Sequence, residues 1–149
     1  MPITELVHDL DALRTRGRRI VLTNGHFDLL HIGHLRYLRQ ARALGDVLVV
    51  GINSDESVRV RKPGRPLVPE DERAELVAAL EPVDYAVIFQ EPTADGLLRL
   101  VRPAVYAKGA DYTESTLPEA ATARAVGAQL AFVPLVPGRS SSALIAQLH

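Results

Sequence analysis

The sequence contains no cysteine, which excludes a disulfide framework and a thiolate metal site and fits a reducing compartment. Aromatic residues are scarce, 5% of the chain, and form no cluster on which unstacked bases would sit. Charge of one sign is lacking too: the formal net charge of −1 gives no bulk field toward nucleic acid or an anionic membrane, and neither is expected as a partner. No apolar run approaches the roughly 20 residues that cross a bilayer. Met1 to Leu10 carries Glu5 and Asp9 and no basic cluster, so a secretory signal is not expected and the cytoplasm is. Internal repeats, low-complexity tracts and linkers are also missing. What remains is 149 residues, 47% of them apolar, enough to bury a core in one domain spanning 1–149.

Short apolar runs alternate with stretches of helical period. "RIVLTNG" (Arg19 to Gly25), "DVLVVGIN" (Asp46 to Asn53), "DYAVIF" (Asp84 to Phe89), "AVYAKG" (Ala104 to Gly109) and "AQLAFVPLV" (128–136) read as five strands. Between them "HLRYLRQARAL" repeats Leu35, Leu38, Ala41 and Leu44 and stops at Gly45. "PEDERAELVAAL" opens on Pro69 and three acids, "ADGLLRLV" stops at Pro103, and "PEAATARAV" stops at Gly127. "SSSALIAQL" predicts a last helix, and "TELVHDLDALR" a helical extension within residues 1–18. The strands are apolar throughout rather than alternating, which predicts an α/β domain: a parallel sheet with helices on both faces. The stretch Arg59 to Pro69 reads as a long polar loop holding four of the seventeen basic residues.

Ligands of open α/β sheets sit beyond the carboxyl ends of the strands, and four constellations fall there. "NGHFDLLHIGH" joins the first strand to the first helix. His31 and His34 share one helical face, Gly33 allows close approach, and a helix N-terminus supplies free N–H groups. Three readings compete: histidines without a role, a metal-chelating pair, and a phosphate cradle with imidazole donors. Lys62, with Arg59, Arg61 and Arg65, is either a solvated basic loop or a lid bringing cations to anions. In "KGADY", Lys108 to Tyr112, Gly109 permits a tight turn and Asp111 suits ribose hydroxyls or metal-bound water; a plain turn explains it equally well. In "PGRSSSALI", Gly138 and Arg139 precede Ser140, Ser141 and Ser142. One serine suffices as a helix cap; three suit phosphate oxygens.

"HIGH" after a first strand resembles the signature of the nucleotidyltransferase superfamily that includes class I aminoacyl-tRNA synthetases. The chain is too short for a synthetase's tRNA-binding parts and is similar instead to the small cytidylyltransferase-like enzymes. The pattern most resembles the adenylyltransferase half of bacterial heptose kinase/adenylyltransferases, where "KGGDY" and "GRSTT" stand in place of "KGADY" and "GRSSS". Ala110 keeps the residue small, Ser141 and Ser142 keep the hydroxyls, and His26 stands where the family has cysteine. The resemblance implies a Rossmann-like sheet of order 3-2-1-4-5. It implies adenylyl transfer from ATP, with Mg²⁺, to a sugar 1-phosphate such as D-glycero-β-D-manno-heptose 1-phosphate. It implies catalysis by His31, His34 and Lys62, and nucleotide contacts from Gly25, His26, Phe27, Asp28, Gly33, Lys108, Gly109, Asp111, Gly138, Arg139 and Ser140–Ser142. Asp28 would either orient His31 or hold metal-bound water, and Arg73 matches a family arginine that would serve equally as a structural ion pair. A homodimer and a separately made sugar kinase are implied partners. Glycerol-3-phosphate cytidylyltransferase, flavin mononucleotide adenylyltransferase and a non-catalytic ATP sensor are the alternatives.

Overall fold

The first strand, β1 (Ile20–Gly25), lies mid-sheet because it has buried neighbours on both sides. It pairs in parallel with β2 (Val47–Asn53) and β4 (Val105–Gly109), and the outer strands are β3 (Tyr85–Phe89) and β5 (Gln129–Val133). These come from a computed structural model that describes residues 2–134. All pairings are parallel and the order is β3-β2-β1-β4-β5, the Rossmann-like order that the resemblance implied. Every residue of β2 is buried, as an apolar run covered on two faces requires. Strand order reverses between β1 and β4, and crevices at such switch points take ligands in α/β sheets.

Successive strand residues point to opposite faces and feed two cores. On one face Ile20, Leu22, Val49 and Tyr106 pack with α1 (Ile3–Thr15), α5 (Asp95–Val101) and α6 (Ala120–Ala125). On the other, Val21, Leu48, Val50 and Ala107 pack with α2 (Ile32–Arg42) and α4 (Glu70–Ala78). Helix α1 is no mere extension. Leu6 and Leu10 are fully buried in the first core, and Arg14 donates to the carbonyl of Val101 at 2.5 Å. Burial of each leucine contributes about 1.5–3 kcal/mol.

Two expectations need correction. The predicted loop from Arg59 begins inside a helix, α3 (Asp55–Arg61). Ser54 caps it by accepting from Ser57 N at 3.2 Å, and Asp55 and Glu56 occupy its first turn, where the helix dipole favours acids. Of the four basic residues that suggest a loop, Arg59 and Arg61 lie in its last turn, Lys62 is its C-cap and Arg65 follows it. The helix predicted from His34 starts two residues earlier, at Ile32, with His31 as its N-cap, so the histidine pair spans the cap and the first turn. The end of the predicted fifth strand and the predicted last helix lie outside the described residues.

Candidate functional site

The site grows from how α2 begins. His31 is its N-cap, with extended backbone (φ −145°, ψ 178°). Its Nδ1 accepts from Gly33 N at 3.0 Å, while His34 Nδ1 accepts from His31 N at 3.2 Å. The pair forms a capping box in which imidazoles replace the usual hydroxyl and carboxylate. The rings lie 4.0 Å apart, centroid to centroid. This alters the predicted cradle. The N–H groups of Gly33, His34 and Leu35 already bond to His31, so backbone donors of the first turn are taken up by the cap. What the cap produces instead is a fixed tautomer. An Nδ1 that accepts a backbone N–H holds a lone pair, so the neutral ring carries its proton on Nε2. Both histidines are thereby set as Nε2–H donors.

His34 stays neutral at physiological pH. Burial first, and His31 second, lower its pKa to about 4. His26 is lowered to about 4 as well, by burial and then by the charges of Lys62, Arg61, Arg73 and Lys108. Four cations from three elements and the turn after α3 thus converge on the residue after β1. That field suits polyphosphate. Lys62 caps α3 at its C-terminus and is exposed, as is Arg61. Lys108 on β4 is half-buried, donates to Asn24 O at 3.2 Å and lies 5.4 Å from the Tyr112 ring centre. Its pKa is lowered, mainly by burial, with Glu119 and Asp111 opposing that shift.

Between these groups the chain turns through Phe27, whose φ of +50° is rare for a bulky side chain. The turn returns its ring over Gly25, where an added Cβ would lie 3.1 Å from it, and against His34 at 5.4 Å between centroids. Gly109 ends β4 and accepts from Tyr112 N at 3.1 Å, so "KGADY" folds as a turn with Asp111 exposed beside Lys108. The structure thus brings His26, Phe27, His31, His34, Lys62, Lys108 and Asp111 to one end of the sheet. Gly138, Arg139, Ser140, Ser141 and Ser142 lie outside the described residues.

Two polar residues beside the site are engaged in structural bonds. Asp28 is buried and does not bond to His31. Its oxygens accept from Arg65 Nε at 2.5 Å, Leu67 N at 2.8 Å and Val68 N at 3.0 Å, so it anchors the loop after α3. Burial raises its pKa, but those bonds outweigh it and leave the carboxyl below its ordinary value. Arg65 is accordingly tied down and is not a free lid cation. Arg73 is fully buried and donates to Val68 O, His26 O and Asp55 Oδ1, at 2.8, 2.6 and 2.8 Å. It is the structural ion pair of the two readings open for it.

Sequence reasoning missed a polar network beneath the site. Buried Tyr106 donates to Asn24 Oδ1 at 2.5 Å, with Glu119 Oε2 3.3 Å away, and Glu119 also accepts from Ala94 N at 3.1 Å. Tyr37 donates to Ala107 O and pairs with Thr23 at 2.6 Å, tying α2 to the two central strands. The tyrosine in the middle of the strand "AVYAKG" was the available signal, since a buried phenol needs a partner.

The depressed histidines predict a pH dependence. Each binds a proton more weakly folded than unfolded, so the unfolded chain takes up more protons between pH 6.5 and about 4. Their share of stability is therefore complete above pH 6.5 and lost as pH falls to about 4. The melting temperature should hold between pH 7 and 8 and decline from pH 6.5 toward 4.5. A flat melting temperature over that lower range would contradict neutral, desolvated rings.

Residues 22–145 match the cytidylyltransferase-like family. The protein called bifunctional protein HldE in Syntrophotalea carbinolica is 45% identical over 140 residues, covering 93% of this chain and 29% of that protein. Its namesake in Methylobacillus flagellatus is 48% identical over 136 residues, covering 91% and 28%. The chain therefore spans a little under a third of these relatives. Among solved structures, a lipopolysaccharide core biosynthesis protein from Thermoplasma volcanium superposes with a TM-score of 0.67 at 30% identity, over 80% of this chain and 97% of that one.

Proposed function

The chain belongs to the cytidylyltransferase-like family, and on that premise we propose that it transfers the adenylyl group of ATP to a sugar 1-phosphate, giving an ADP-sugar and pyrophosphate. The observation that carries this reading is the capping box: it fixes two imidazoles as Nε2–H donors at the sheet's switch point, beside four converging cations. An oxygen of the acceptor phosphate attacks the α-phosphorus of ATP. The new P–O bond forms as the bond from the α-phosphorus to the bridging oxygen breaks, and pyrophosphate leaves with the electron pair. A phosphate monoester, with a second pKa of about 6, is already anionic near pH 7, so no general base is needed. Catalysis is then positioning and charge stabilisation. His31 and His34 donate to phosphate oxygens, and Lys62 bridges the incoming phosphate and the α-phosphate. His26, Phe27, Lys108 and Asp111 line the nucleotide, and the serines 140–142 meet the departing pyrophosphate.

Mg²⁺ accompanies the triphosphate in this proposal. No group of three or more histidine, aspartate or glutamate side chains among the described residues forms a cage for it. A triphosphate with its waters suits this ion's preferences, and no step is assigned to it. D-glycero-β-D-manno-heptose 1-phosphate is the acceptor we favour, on the likeness of "KGADY" to the heptose-phosphate pattern. The description of the Thermoplasma volcanium protein supports that choice. A sugar kinase reaction must supply such an acceptor, a homodimer is the proposed assembly, and the need for ATP places the reaction in the cytoplasm. No helix among the described residues is long and apolar enough to cross a membrane.

Pyrophosphate release, measured for sugar 1-phosphates, glycerol 3-phosphate and flavin mononucleotide, each with ATP or CTP, tests the assignment. Release with ATP and the heptose 1-phosphate is expected. Release only with CTP and glycerol 3-phosphate, or with ATP and flavin mononucleotide, would replace the acceptor; release with none would favour an ATP sensor. Lys62→Ala should lower kcat more than it raises either KM, because its charge acts on the transition state. A change confined to KM would make it a capture residue.

A further inference from the structure

An open cavity of about 320 Å³ lies between α3 and the loop after it, lined by Asp55, Arg59, Gly64, Arg65, Pro66, Leu67 and Pro69. Its volume falls in the range of small-molecule sites. Two of its walls connect to the turn after β1, one directly and one through Arg73. Arg65 holds Asp28, and Asp55 holds Arg73, which donates to His26 O. Asp55 and Arg59 sit at i and i+4 on α3, so they share a helix face, and Lys62 follows one turn on, at the helix end. The cavity therefore borders the proposed phosphate site along a face that ends in Lys62.

The lining has the chemistry of a carbohydrate subsite. Among the described residues the Arg59 side chain makes no hydrogen bond or ion pair, and it is exposed. Asp55 uses Oδ1 for Arg73 and leaves Oδ2 as an acceptor with no bond among the described residues. Pro66, Leu67 and Pro69 supply apolar surface, and Leu67 is 57% exposed, which nothing in the fold requires. A carboxylate oxygen and a guanidinium take hydroxyl groups, and prolines and leucine cover the C–H face of a ring.

From this geometry we infer that the cavity holds the sugar ring of the acceptor, its hydroxyls on Asp55 and Arg59, with the 1-phosphate directed past Lys62 toward the histidines. The inference rests on the reading in the preceding subsection. It adds that acceptor selectivity resides in α3 and residues 64–69 and is separate from the nucleotide contacts.

Steady-state kinetics of the whole chain, with ATP and the preferred sugar 1-phosphate varied in turn, test it. Arg59→Ala removes an exposed, unengaged side chain, and Leu67→Trp fills the cavity from an exposed position, so both variants should melt with the parent protein. Each should raise KM for the sugar 1-phosphate about tenfold, the scale of one lost hydrogen bond to a charged group, and leave KM for ATP within about twofold. Arg59→Lys should recover part of the loss. An unchanged acceptor KM in both variants, with the parent active, would overturn the subsite and leave adenylyl transfer standing. An equal rise in KM for ATP would also overturn it. A parent protein that releases no pyrophosphate with any sugar 1-phosphate would remove the reading and the subsite together.

Discussion

His34→Asn is expected to lower kcat by about 10²-fold or more while the protein melts within a few degrees of its parent. The asparagine side-chain oxygen falls near the position of the imidazole Nδ1, so it can still accept from His31 N and keep the helix cap. It has nothing at the position of Nε2. The substitution separates the structural task of the ring from the chemical one, and the expected loss is that of a donor aimed at developing negative charge. His34→Ala removes both functions. It should lose at least as much kcat, about 10²-fold or more, and, in addition, about 1 kcal/mol of stability for the missing cap. Measured together, kcat and melting temperature decide the matter: normal turnover in the asparagine variant would take this ring out of the mechanism.

Arg73→Ala is expected to have the largest effect on stability, about 3–5 kcal/mol, with a fall in melting temperature of roughly 10 °C. The guanidinium is fully buried and donates to three acceptors from three segments: the turn at His26, the start of α3 and the loop at Val68. Its removal leaves the two carbonyls and Asp55 without that donor in a poorly hydrated place, and the uncompensated acceptors account for most of the cost. Arg73→Lys should rescue little, because one ammonium on a flexible stem does not span three divergent acceptors. Thermal melts of both variants check this. A melting temperature within about 2 °C of the parent for Arg73→Ala would show that the three bonds are replaceable.

Much of this architecture could be read in the chain before any coordinates. Runs such as "VLVVGIN" have no alternation, and a strand without alternation is covered on both faces; β2 is buried at every position. The histidine pair was legible as a site because two imidazoles and a glycine sat at a strand-to-helix junction. How the pair works was not. Whether a first-turn N–H meets a ligand or a side chain depends on rotamers, and here the rings themselves cap the helix. The charges of residues 59–65 were visible, but their tasks were not. Arg65 is held by an aspartate 37 residues away, and Arg59 and Arg61 belong to a helix whose short length and basic end hide its period. Tyr106, Asn24 and Glu119 meet only through the β1–β4 pairing, a contact that local pattern does not encode. The order of the strands, too, came from the resemblance to a family and not from the alternation of elements.

The central claim is that paired neutral imidazoles present Nε2–H groups to the phosphates of ATP, and histidine-selective ¹⁵N NMR at pH 7, with and without ATP and Mg²⁺, tests it most directly. Five histidines give five assignable rings. The account predicts that His31 and His34 are neutral with the proton on Nε2 before nucleotide is added, and that ATP moves both Nε2 resonances while leaving His8, remote on α1, where it was. Protons on Nδ1, or rings at positions 31 and 34 that do not respond to saturating ATP, would contradict it.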